Sequence, residues 1–176
     1  PAFPADAKGL LLAAFEDPNP VLFFEHKFLY RSLEGEVPEG YYTTEIGKAA
    51  VLNEGADLTI VTYGLGAHWA LEILKEFDKH SIEVIDLRSL APLDFETISA
   101  SVKKTGKVLL LHEDVLTGGI GAELAARIGE ELFEYLDAPV VRCASEDTPV
   151  PFAPILEAGF LANRKLKENI EHLLEY

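Results

Sequence analysis

The chain has 176 residues, of which 48% are hydrophobic and 26% charged, with a formal net charge of −15 at pH 7. That is enough for one good core, or one core plus an extra piece, and the charge repels nucleic acid and anionic membranes while favouring a basic protein partner. No apolar run approaches the roughly 20 residues of a membrane-spanning helix, and the N-terminus lacks the features of a secretion signal, so a cytoplasmic location is expected. The single cysteine, Cys143, excludes an intrachain disulfide and fits a reducing compartment. There is no methionine and the chain opens Pro1-Ala2-Phe3-Pro4, which reads as a fragment of a longer protein.

In chain order, residues 6–17 read as a helix capped by Asp6, with Leu10, Leu11, Ala14 and Phe15 as its apolar stripe and Pro18 and Pro20 as its stop. Val21–Phe24 reads as a buried strand, and 32–44, with Gly35, Pro38 and Gly40 among polar residues, as a linker. A boundary near residue 42 divides the chain into 1–41 and 42–176. Beyond it strands alternate with helices: Leu58–Tyr63, helix 66–79, Ile82–Leu87, helix 94–104, Val108–Leu111, helix 119–136, Val140–Cys143 and a closing helix 163–175. Short Val/Ile/Leu strands are those of a parallel sheet covered on both faces, so the expected fold is an α/β three-layer sandwich with a mainly parallel sheet.

The chemical motifs are mostly negative. Gly64-Leu65-Gly66 opens a helix after a strand and Asp86 ends the next strand, as in a dinucleotide fingerprint, but Trp69 occupies the position where the third glycine lets helix and strand pack closely. Thr117-Gly118-Gly119-Ile120-Gly121 offers backbone N–H groups to an anion yet lacks the Gly-Lys-Ser/Thr ending of a phosphate loop. No two of His26, His68, His80, His112 and His172 are four apart, and no Gly-x-Ser-x-Gly occurs. Cys143 reads as a small apolar residue at a strand end. By residues alone the chain is an acidic α/β domain without a reaction.

Several stretches together resemble the C-terminal domain of transketolases as it occurs in beta subunits of thiamine-diphosphate-dependent 2-oxo acid dehydrogenases. They are Asp6-Ala-Lys-Gly-Leu-Leu11, Asn19-Pro-Val-Leu-Phe-Phe-Glu-His-Lys-Phe-Leu-Tyr-Arg31, Glu83-Val-Ile-Asp-Leu-Arg-Ser-Leu-Ala-Pro-Leu-Asp94, His112-Glu-Asp-Val-Leu-Thr-Gly-Gly-Ile-Gly-Ala-Glu123, Ala138-Pro-Val-Val-Arg142 and Asp147-Thr-Pro-Val-Pro-Phe152. The resemblance covers essentially the whole chain. Its Asp-Leu-Arg and Pro-Leu-Asp elements are shared with transketolases and deoxyxylulose-phosphate synthases; their combination with Asp147-Thr-Pro-Val-Pro151 is more specific to the dehydrogenases.

The resemblance implies an oxidoreductase that decarboxylates a 2-oxo acid, of branched-chain rather than pyruvate type on the strength of Phe23-Phe24-Glu25 and Tyr30-Arg31, and passes the acyl group to a lipoyl arm. It also implies that residues 1–41 are the remnant of the pyrimidine-binding domain plus a linker. The catalytic residues and the thiamine diphosphate and Mg²⁺ sites then lie outside this segment. Ala14, Asp17 and Asn19 match positions of a potassium-binding loop. Implied partners are an alpha subunit or alpha-like half, a second beta subunit and the subunit-binding domain of the acyltransferase component. For the last, the acids of 112–137, set against Arg127 alone, and Glu171, Glu175 and Tyr176 at the chain end are the expected docking residues. The competing reading is a freestanding α/β anion-binding or regulatory domain without catalysis.

Overall fold

The computed structural model describes residues 1–176. The chain begins with helix α1 (Pro4–Glu16) and a single helical turn, α2 (Leu29–Ser32); residues 33–49 then run without helix or strand. The layered part follows as β1 (Ala50–Asn53), β2 (Leu58–Thr62), α3 (Leu65–Ile73), β3 (Ile82–Asp86), α4 (Phe95–Thr105), β4 (Val108–Val115), α5 (Ile120–Glu131), β5 (Val141–Ser145), α6 (Pro154–Phe160) and α7 (Asn163–Leu174). The sheet order is β1-β3-β2-β4-β5; β2 pairs in parallel with β3 and β4, β4 with β5, and β1 alone runs antiparallel, against β3.

Period-two alternation divides the sheet's side chains between two cores. Leu58, Ile60, Val84, Leu109 and Leu111 meet Ala70 of α3 and Leu166, Ile170 and Leu173 of α7. Val61, Ile85, Val108 and Leu110 meet Ile98 and Val102 of α4 and Leu124 and Ile128 of α5. Helices therefore cover both faces, and the three-layer α/β sandwich with a mainly parallel sheet is the observed fold. Each fully buried aliphatic side chain contributes about 1.5–3 kcal/mol, so these two clusters dominate the stability of the domain.

Asp94 starts α4 by accepting the Thr97 N–H at 3.2 Å, and its other oxygen takes the Ala49 N–H at 3.1 Å, tying the entry of β1 to the helix. Helices α3 and α5 end in 3₁₀ turns, Leu74–Glu76 and Phe133–Tyr135, so both α-helical spans are shorter than the expected 66–79 and 119–136. Strand β1 and helix α6 were not expected. Strand β4 runs four residues beyond Leu111 and carries His112, Glu113 and Asp114 within it.

The N-terminal piece requires two corrections. Asp6 is not the helix cap: Phe3 occupies that position, Pro4 begins the helix, and Asp6 is buried in the first turn. Val21–Phe24 is not a buried strand either. It carries no regular secondary structure, no strand pairs with it, and Val21, Leu22 and Phe24 face solvent. A short β-prone run without a partner strand has nothing to complete its hydrogen bonds, so its composition alone does not make it a strand.

Candidate functional site

In a parallel α/β sheet, the carboxyl ends of the strands are where ligand-binding loops gather. Here that rim holds the turns after Thr62, Asp86 and Val115. The first turns through Gly64, whose φ is 56°, into α3, and Gly66 lies so close to Thr62 that a side chain there would meet the Thr62 hydroxyl. This is a packing turn. Asp86, the fingerprint acid, is fully buried instead of facing a cleft, and Trp69 packs on the first core cluster.

The Thr117–Gly121 turn is likewise filled from within. The buried His112 ring lies against Gly119 and Gly121, whose added Cβ atoms would stand 2.7 and 2.6 Å from its Cε1 and Nε2. Its Nδ1 is 3.2 Å from the Asp114 carbonyl. Because a carbonyl only accepts, Nδ1 carries the hydrogen, and the bare Nε2 lone pair faces the N-terminal end of α5. Burial pushes His112 below the ordinary histidine range, so it stays neutral. Tyr63 stacks on it at 6.5 Å; burial, and then the Asp114 and Glu113 charges, push the phenol up to about 12. On the outer side Asp147 accepts from the Thr117 N–H at 2.8 Å and the Thr117 hydroxyl at 2.7 Å. An acceptor lone pair beneath and a carboxylate at the loop leave this turn poorly matched to an anion.

Two pairs link the N-terminal piece to the same rim. Arg88 Nη2 meets Asp6 Oδ1 at 2.8 Å, and His26 Nε2 lies 2.6 Å from Glu113 Oε2. The His68 ring adds a contact to the Ala2 carbonyl at 2.8 Å. Sequence reading singled out neither pair, because the partners lie far apart along the chain and no local periodicity couples them.

Ala14, Asp17 and Asn19 sit at and just beyond the end of α1. Pro18 and Pro20 have no N–H, and the Asn19 N–H goes to Asp17 Oδ1 at 2.8 Å, so the carbonyls of Ala14, Phe15 and Glu16 gain no helical partner. The Asn19 side chain also donates to Asp17 Oδ1 at 2.9 Å, and these two bonds hold the Asp17 carboxyl below the usual range. Free carbonyls beside a carboxylate are the donor set a hard cation takes, although such ions take six or more oxygens. No three His, Cys, Asp or Glu side chains of the chain converge on one point.

At the other end, α7 buries Leu166, Ile170 and Leu173 and leaves Glu171, Glu175 and Tyr176 in solvent. The basic residues of this helix are engaged, Lys165 with Glu146 and Lys167 with Glu76, each at 2.7 Å. The end of the helix therefore presents Glu171 and Glu175 with His172 between them. Cys143 is buried, with its thiol pushed up to about 11 by burial, and Sγ lies 3.4 Å from the Ala162 carbonyl as a core contact.

These features define an α/β domain whose strand-end turns are filled by its own side chains. The family model described as "Transketolase, C-terminal domain" matches residues 47–165, and the chain belongs to that family. It is 48% identical over an aligned 180 residues to the 2-oxoisovalerate dehydrogenase subunit beta of Bacillus subtilis, covering all of this chain and 55% of that protein. It is 46% identical to the pyruvate dehydrogenase E1 component subunit beta of the same organism, again over 100% of the chain and 55% of the relative. The corresponding subunit from Porphyra purpurea is 51% identical over 88% of the chain and 47% of its own length. A solved structure described as a split gene transketolase, an inactive beta4 tetramer, superposes with a TM-score of 0.65 at 30% identity, covering 80% of this chain and 46% of that one. The chain thus spans about half the length of the curated relatives it matches. No helix is long and apolar enough to cross a membrane.

Proposed function

We propose that the chain forms the C-terminal part of the beta subunit of a thiamine-diphosphate-dependent 2-oxo acid dehydrogenase, serving assembly and docking. The observation that carries this reading is the end-to-end similarity to two such beta subunits, of 2-oxoisovalerate and pyruvate dehydrogenases. The two identities are too close to separate the substrates; Phe23-Phe24-Glu25 and Tyr30-Arg31 favour the branched-chain type. In this reading residues 1–41 end the pyrimidine-binding domain and 42–176 are the C-terminal domain, working in the cytoplasm.

Thiamine diphosphate would supply the decarboxylation chemistry of the whole enzyme, but the residues of this chain do not fit it. The turns at the rim are filled by Thr62 and His112, and no three His, Cys, Asp or Glu side chains converge there for a diphosphate-bound Mg²⁺. Calorimetric titration of the chain with thiamine diphosphate and Mg²⁺ should give no binding in the micromolar range, and binding at that strength would move the cofactor site into this segment. The Ala14, Asp17 and Asn19 loop fits one side of a potassium site, the remaining oxygens coming from elsewhere in the enzyme.

The partners in this reading are an alpha subunit or alpha-like half, a second beta subunit, and the basic subunit-binding domain of the acyltransferase, which meets Glu171, Glu175 and the Tyr176 end of α7. Exposed charge pairs are each worth about 1 kcal/mol or less, so salt dependence is the clearer signature. Surface plasmon resonance against that domain should show binding that weakens with salt and with E171K and E175K. Absent binding, or binding indifferent to both, removes the docking assignment.

A further inference from the structure

At the amino end of β3, opposite the rim, the surface dips into a hollow of about 410 Å³, a volume within the range of about 300–1,000 Å³ that small-molecule sites occupy. Its floor is apolar: Phe77 and Ile82 are buried, and Leu74 lies beside them where α3 passes into its 3₁₀ turn. One wall is the β1–β2 turn, through Asn53 and Glu54, and the other is the turn Asp78–Ser81. Hydrogen bonds fix both. Asn53 Nδ2 donates to the Ile82 carbonyl at 2.7 Å and to the Glu54 carbonyl at 3.1 Å. The Ser81 N–H goes to Asp57 Oδ2 at 2.7 Å, and the Ala56 and Asp57 N–H groups go to the Ser81 carbonyl at 2.9 and 2.8 Å. The His80 N–H closes onto the Phe77 carbonyl at 2.9 Å, and the two rings pack edge to face at 6.4 Å. Walls already ordered lose little entropy when a ligand binds.

The mouth carries charges of both signs. Lys79 and His80 stand exposed beside Asp78 on one turn, and Glu54 stands exposed on the other. Charges nearby are engaged elsewhere: Lys104 bonds Glu54 and Glu83, and Lys167 bonds Glu76. Asp78 and Lys79 belong to none of these pairs. An anion alone meets Asp78 and Glu54 here, and a cation alone meets Lys79. A molecule with both charges a short distance apart answers the two sets together, and an apolar body on it covers what Leu74 and Phe77 leave exposed.

We propose that this hollow binds a small zwitterion with an apolar side chain, an α-amino acid of the leucine or phenylalanine kind. The carboxylate lies toward Lys79 and His80, the ammonium toward Asp78 and Glu54, and the side chain on Leu74 and Phe77. The hollow is open to solvent on one side, so the expected Kd is on the order of 1 mM. The site uses residues of this chain alone and does not depend on the enzyme to which the chain contributes.

Titration of the full chain with L-leucine and with L-phenylalanine, each to about 20 mM and followed by amide NMR signals, tests this. At least one should give saturable shifts at Leu74, Phe77, His80 and Ile82 with a Kd of about 1 mM, while Gly118 and Gly121 at the far rim stay still. Isocaproate, which lacks the ammonium, isopentylamine, which lacks the carboxylate, and glycine, which lacks the apolar side chain, should each bind at least about fivefold more weakly. K79E should weaken the amino acid by about fivefold and K79R should restore it, with the α5 amides in the same spectra reporting that both variants are folded. The absence of saturable shifts at those four amides with either amino acid overturns the site. Isocaproate, isopentylamine or glycine binding as tightly as the amino acid overturns the zwitterion, and K79E binding like the parent overturns the carboxylate contact.

Discussion

Between Leu58 and Leu111 the aliphatic side chains of the central strands are at most 1% exposed, whereas Phe15, Leu22 and Phe24 of the N-terminal piece are 81%, 83% and 80% exposed. Both regions are rich in the same residue types. They differ in whether the complementary surface lies within the chain. Helices α3 and α7 face one side of the sheet and α4 and α5 the other, but Val21–Phe24 has no strand beside it and no helix over it. Hydrophobic sequence therefore specifies structure here only where it can be buried.

The largest expected effect tests this contrast directly. Ile60→Ala or Ile128→Ala should each cost about 2–5 kcal/mol, because a fully enclosed site retains a cavity, whereas Phe24→Ala should stay within about 0.5 kcal/mol. Urea unfolding midpoints measure both; a Phe24→Ala cost comparable to the core variants would mean that the N-terminal piece has a hidden core of its own.

Charged groups sharpen the same comparison. Glu83 lies buried within β3, paired with Lys104 and accepting the Gly55 N–H at 3.3 Å. Burial pushes its carboxyl up, but Lys104, Ser101 and the Gly55 N–H outweigh that and hold it below the ordinary value. Its stabilising contribution is therefore complete above its unfolded value of about 4.5 and is lost as pH falls through the lower folded value. Lys104→Ala should cost about 1–3 kcal/mol at neutral pH, toward the lower end because Lys104 is partly in water, and the loss should shrink in acid. If the urea midpoints of variant and parent fall in parallel with pH, Glu83 does not depend on Lys104.

Asp94→Ala removes the cap of α4 and the acceptor for Ala49, an expected loss of about 1 kcal/mol with two-state unfolding preserved. The smallest effect belongs to the N-terminal piece. Asp17 is also held below its usual range by hydrogen bonds, but it stands in solvent, so Asp17→Ala should leave the thermal midpoint unchanged. A measurable drop would show that the α1 terminus is bound to something.

The central strands and helices α3, α4, α5 and α7 were legible because their periodicities of 2 and 3.6 are strong and their partner faces lie in the same chain. Strand β1 was not: Ala50–Asn53 is four residues long, and only Leu52 packs against a core cluster. Helix α6 hid behind Pro149, Pro151 and Pro154, and its Ile155 and Leu156 face solvent, so no buried stripe announced it. Cys143 was read correctly as a small core residue. The rim was the least legible part. Nothing in a lone sequence marks Arg88 as left-handed or matches Asp6 to it, and the Gly119 and Gly121 pattern invited an anion where the structure places an imidazole.

The reversed direction of β1 has one further consequence. Because Ala50 pairs with Asp86, the chain enters the sheet at the end where the parallel strands finish. A parallel β1 would have delivered residues 1–49 to the opposite end of the strands, away from Arg88 and Glu113. One strand of reversed polarity thus gathers the incoming chain and the strand-end loops into a single seam, where Asp6, His26 and Ala2 meet Arg88, Glu113 and His68.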